Sequence, residues 1–254
     1  MSTCKLMAHM VAGYPSMEQS RLVAHGLAAG GANYIEVQFP FSDPSADGPV
    51  IERACQAALD AGFKVADGFA LMRELAKELT IPLFIMTYGS LVFARGADNF
   101  ARDAVAAGVR GLIVPDLPPD YSEGLFEAGR AHGLAVVPVI APEISEARLR
   151  AIGQLQPEYV YTALRLGITG SKTSLDDKTI SYLGRVSALG AKVIAGFGVK
   201  SREQMKALAG HAYAAAVGSY FLERLAAAKE KGVTRENDIA ETLTAAAREL
   251  VADN

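Results

Sequence analysis

Cysteine is scarce in this chain, and its two copies, Cys4 and Cys55, form neither a framework nor a CxxC pair. That excludes a disulfide-stapled secreted scaffold and fits a reducing compartment. Excess charge is missing as well. The 254 residues carry a net charge of -3, with both signs mixed along the chain. Such a balance leaves no footprint for nucleic acid or acidic membranes. Long apolar runs are also absent: none reaches the roughly 20 residues of a membrane-spanning helix. The start "MSTCKLMAHMVAG" lacks the apolar core of a signal peptide. The four histidines, His9, His25, His132 and His211, make no HxH or HExxH pattern, so no metal site is expected. No linker or low-complexity segment divides the chain, so a single domain over 1–254 is expected. The expectation is a soluble, cytoplasmic protein.

Half of the residues are apolar, enough for a substantial core, and their arrangement is regular. Eight short apolar runs recur, at 6–13, 32–37, 82–88, 111–116, 135–142, 158–164, 191–198 and 212–219. Each is nearly continuous rather than alternating, as parallel strands buried on both faces are. Helix signals lie between them. Ser16 with Gln19 and Ser201 with Gln204 have capping-box spacing, and Gly108, Gly133 and Gly190 stand where helices should stop. The gap 38–81 has room for two helices. Eight strand-then-helix units in this length point to a (β/α)8 barrel. A doubly wound open sheet shares the alternation, and the count of eight favours the barrel.

In a barrel, chemistry sits at the C-terminal strand ends and in the loops that follow. Strand alternation puts Glu36 and Gln38 on one side of the second strand, with Val37 opposite. A glutamate in an apolar strand needs a partner or a proton, and no cation is near it in sequence. Asp43 and Asp47 follow in "FSDPSADGP", where aspartate beside proline or glycine is by default a turn former. The segments "AGFGVKS" (195–201) and "AVGSYF" (216–221) end the last two strands and lead into helices, a usual barrel site for phosphate. Two nucleotide motifs fail: "GITGSKT" is no Walker A loop, and "GFGVKS" lacks the third glycine of a dinucleotide fingerprint. The residues alone thus describe a barrel that acts on a phosphorylated small molecule through carboxylate acid–base chemistry.

The stretch "IEVQFPFSDPSADGP" (35–49) strongly resembles the signature of the tryptophan synthase alpha subunit, roughly E-L-G-x-P-F-S-D-P-x-A-D-G-P. The likeness continues through "AGYP", "MTYGSLVFARG", "GLIVPDLPPD", "LRLGITG", "AGFGVKS" and "VGSYF". It implies a (β/α)8 lyase that cleaves indole-3-glycerol phosphate to indole and glyceraldehyde 3-phosphate in tryptophan biosynthesis. It further implies a beta-subunit partner in an α2β2 complex. That partner carries pyridoxal phosphate, and this chain carries no cofactor. By the match, Glu36 is the acid and base, and Asp47 faces the indole N–H. Tyr161, Thr169, Gly170, Gly198, Gly218 and Ser219 match substrate-binding positions, and Asp43 and Pro44 match a loop facing the partner.

Three residues depart from the pattern. Gln38 stands where the family has glycine and is expected to modify the pocket, reaching Glu36 or the indole ring. Ser45 replaces a bulky apolar residue, and His9 replaces an aromatic or apolar one. The chain begins a few residues before the first strand, so the barrel is expected to lack the family's usual N-terminal helix. Two other readings follow from these departures. One is a weakly active or non-catalytic barrel that binds a phosphorylated ligand and regulates a beta-type partner. The other is a stand-alone lyase releasing free indole.

Overall fold

Each apolar run becomes a parallel strand in the computed structural model, which describes residues 3–164, 176–196, 198–230 and 236–251. The strands are β1 (Lys5–Val11), β2 (Tyr34–Gln38), β3 (Leu83–Met86), β4 (Gly111–Ile113), β5 (Ala135–Val137), β6 (Val139–Ile140), β7 (Tyr159–Ala163), β8 (Lys192–Gly196) and β9 (Ala214–Val217). They form one sheet in the order β5-β4-β3-β2-β1-β9-β8-β7-β6. The two ends of that order, β5 and β6, are a single strand interrupted at Pro138, which has no N–H to give a ladder. The sheet therefore closes on itself, and the barrel has the expected eight strand positions. The open-sheet alternative is excluded.

Alternation along the strands creates two cores. Leu6, Ala8, Met10, Ile35 and Val37 point outward under the helices, while Met7, Tyr34, Phe84, Met86, Tyr159 and Ile194 fill the barrel. The interior is plugged near the strand starts by aromatic rings. Tyr34 meets Phe84 and Tyr159 edge-on at 5.9 and 6.4 Å. Its hydroxyl lies 2.8 Å from that of Tyr213, which also accepts a 2.8 Å bond from Lys5 Nζ. With this end packed, the space left for a ligand is at the C-terminal strand ends.

The helix signals act as read. Ser16 Oγ accepts the N–H of Gln19, and Ser201 and Gln204 cap each other reciprocally. Gly108, Gly133 and Gly190 adopt left-handed φ values of 78, 77 and 78° that stop their helices. The long gap holds the helices Pro49–Asp60 and Val65–Glu78. One packing feature had no signal in sequence. The helix Glu236–Val251 presses so closely on Met17–Ala29 that a Cβ at Gly26 would lie 2.5 Å from the carbonyl oxygen of Ala240. No described helix is long and apolar enough to cross a membrane.

Candidate active site

The register between β1 and β2 pairs His9 with Glu36, and this places two polar groups side by side inside the barrel. Both are buried, and His9 Nδ1 stands 3.5 Å from Glu36 Oε1. Two residues further along β2, Gln38 is fully buried, and its amide nitrogen is given to Asp47. The loop after β2 folds back through a turn in which Asp47 N–H bonds to the carbonyl of Pro44 at 2.9 Å. This brings the Asp47 carboxylate over the strand end. Its Oδ2 accepts two bonds, from Gln38 Nε2 at 2.7 Å and from the Tyr88 hydroxyl at 2.8 Å. Tyr88 is fixed in turn: its oxygen accepts the Ala46 N–H at 3.1 Å, and Phe41 stacks on its ring at 5.3 Å. Three buried atoms of this cluster have no hydrogen-bond partner among the described residues: Glu36 Oε2, His9 Nε2 and Gln38 Oε1.

A cavity enclosing about 560 Å³ of empty space, its open mouth included, lies over these groups. Glu36, Asp47 and His9 line one part, and Gly198, Gly218 and Ser219 line another, with Tyr161 on the same wall. Ile51, Met86, Ile113 and Val139 supply an apolar lining. Ser219 opens the helix Ser219–Glu230, whose first N–H groups lack intrahelical partners and form its positive end. Most of the residues singled out in sequence thus meet in one place. Gln38 is not on the cavity wall; it stands behind Asp47. Asp43 is exposed, Pro44 is buried, and both line a separate groove with Phe41, Ser45 and Arg53. Thr169 and Gly170 lie outside the described residues.

A sequence profile described as "Tryptophan synthase alpha chain" matches residues 2–249. A curated relative of that name from Helicobacter hepaticus is 39% identical over 254 residues, covering 97% of this chain and 95% of its own. Another, from Methanosarcina mazei, is 40% identical over 247 residues, covering 96% and 87%. The chain belongs to the tryptophan synthase alpha chain family. Solved structures agree. Mycobacterium tuberculosis tryptophan synthase superimposes with a TM-score of 0.84 at 34% identity, covering 97% of this chain and 93% of that one. The Pyrococcus furiosus tryptophan synthase α2β2 complex gives 0.86 at 31% identity, covering 98% and 99%. By family this chain is a lyase with the alpha-subunit role in tryptophan biosynthesis.

The electrostatics of this family member follow from burial. Burial pushes the Asp47 carboxyl above the usual carboxylate range, opposed by the His9 charge and by the bonds from Gln38 and Tyr88. For His9, burial favours the neutral ring, but the Glu36 and Asp47 carboxylates and Gln38 outweigh it, and the net shift is upward. Burial, then the Asp47 charge, pushes the Tyr88 phenol far up, so it remains a donor at neutral pH. The Cys55 thiol behind Gln38 is pushed up to about 12, first by burial, and stays uncharged. Tyr88 is a member of the site that its local sequence does not mark. It lies 41 positions from Asp47, and its only signal was its place in "MTYGSLVFARG", just past the end of β3.

Proposed function

We propose that the chain cleaves indole-3-glycerol phosphate to indole and glyceraldehyde 3-phosphate, as the alpha subunit of a two-subunit tryptophan synthase. The observation that carries the reading is the division within each carboxylate. One oxygen of Glu36 and one of Asp47 are held by neighbouring protein groups, while among the described residues Glu36 Oε2 has no hydrogen-bond partner and both side-chain bonds to Asp47 land on Oδ2. Each carboxylate can thus give one oxygen to a ligand in the same cavity. In the proposed reaction Glu36 delivers a proton to the indole ring carbon that carries the glycerol chain. The electron pair of the breaking carbon–carbon bond then restores the aromatic ring, and the adjacent hydroxyl becomes the aldehyde as its proton passes to the Glu36 carboxylate. Asp47 accepts the indole N–H and stabilises the positive charge that develops there.

Tyr161 lies against the substrate, and Gly198, Gly218 and Ser219 take the phosphate on backbone N–H groups at a helix start. Thr169 and Gly170 are assigned to substrate binding by their motif alone. Asp43 and Pro44 face the beta subunit, which holds the pyridoxal phosphate, and the protein works in the cytoplasm. Steady-state indole formation from indole-3-glycerol phosphate, with and without a tryptophan synthase beta subunit, tests the proposal. Turnover that rises on adding the beta subunit supports it. High turnover indifferent to the partner points to a stand-alone lyase. No turnover in either case, with the substrate still bound, points to a binding barrel.

A further inference from the structure

We propose that His9 and Gln38 form a charged bridge between the two carboxylates, holding one oxygen of each so that the other is presented to the substrate. The inference deepens the proposed function and rests on it for the substrate contact alone. The structure shows two ends of the bridge, Glu36 Oε1 to His9 Nδ1 at 3.5 Å and Gln38 Nε2 to Asp47 Oδ2 at 2.7 Å, and the proposed middle link closes it from His9 Nε2 to Gln38 Oε1. That link pairs two buried atoms that otherwise stand without any hydrogen-bond partner among the described residues, one a donor when the ring is charged and the other an acceptor. Gln38 also acts on the imidazole as a group that stabilises its protonated form.

Charge and amide chemistry support the same chain of contacts. Glu36 and Asp47 are both buried, and two like charges in one cavity repel; an imidazolium between them offsets that repulsion. The glutamine has one orientation that serves both neighbours. Its NH2 faces a carboxylate, so its carbonyl is left for a cation. Gly218 fixes the ring from the other side, since a Cβ there would lie 3.0 Å from His9 Cδ2. Glu36 on β2 and Asp47 in the following loop are the charged groups that act on His9, and the uncharged Gly218, just past β9, approaches the ring from the other side. Tyr88 and Tyr161 influence the carboxylates as uncharged phenols. His9 and Gln38 are therefore positioning residues that act through Glu36 and Asp47.

Imidazole nitrogen NMR on the wild-type protein tests the bridge without any turnover. Both His9 nitrogens should carry protons at about pH 7, and Gln38→Met should lower the pH at which the ring titrates. A neutral His9 ring at that pH, or a titration unchanged in Gln38→Met, would overturn the proposal. A kinetic cycle supplies the second readout. His9→Phe and Gln38→Met should each lower kcat about 10-fold with KM changed less than about 3-fold, and the double variant should lose little more than either. Losses that multiply to about 100-fold would mean independent roles and would contradict a bridge. If the wild-type protein does not cleave indole-3-glycerol phosphate, the proposed function fails, and the NMR titration still decides the bridge.

Discussion

The two carboxylates of this site lie in unlike surroundings, and single substitutions should separate their roles. Asp47 receives its bonds from Gln38 and Tyr88 through Oδ2. Asp47→Asn keeps the shape but removes the charge that faces the indole N–H, so kcat should fall about 100-fold or more with modest change in KM. Near-normal kinetics would return Asp47 to a turn-forming role. His9 offers a test on stability. Its pKa is raised in the fold above the ordinary 6.5, so folding is favoured by its protonation. That contribution is complete below about 6.5 and is lost as pH rises through the folded value. The stability of wild type relative to His9→Phe in urea unfolding should therefore fall from about pH 5.5 to about pH 8.5. A difference independent of pH would contradict the assigned protonation.

At the scale of elements, most of the architecture was legible because it rests on local rules. Continuous apolar runs mark buried parallel strands, and caps and left-handed glycines mark helix ends. What was not legible depends on contacts between distant segments. Pro138 divides one barrel strand into β5 and β6, although the run 135–142 reads as continuous. Gln38 was expected to reach Glu36 or the indole ring, because the two side chains share a face of β2. The loop after β2 instead brings Asp47 within 2.7 Å of its amide. Gly26 gives a prediction at this scale. In an isolated helix Gly→Ala gains about 1 kcal/mol. Here the added methyl would lie 2.5 Å from the Ala240 carbonyl oxygen, and overpacking of that kind costs about 1–3 kcal/mol. Gly26→Ala should therefore lower the urea midpoint; a raised midpoint would show that the helix Glu236–Val251 moves aside freely.

For the whole molecule, closure of the sheet is what converts a linear pattern into a site. It places the ends of β1, β2, β7, β8 and β9 around one cavity, so residues from 9 to 219 share it. Glu36 and Asp47 could be picked out as candidates from their strand and loop, whereas the carboxylate partners His9 and Tyr88 depend on register and closure. Phosphate recognition belongs to this scale too, since Gly198 and Ser219 approach from different strand ends. Ser219→Asp should weaken binding of glyceraldehyde 3-phosphate by at least about 10-fold through like-charge repulsion, with indole affinity changed much less. Unchanged phosphate affinity in calorimetry would move that group elsewhere. The central claim is that Glu36 moves the proton in carbon–carbon cleavage. Single-turnover formation of indole from indole-3-glycerol phosphate by Glu36→Gln, beside wild type, tests it most directly. The expected result is a reaction at least about 100-fold slower, with substrate binding largely kept. A Glu36→Gln protein that forms indole at near the wild-type rate would contradict it.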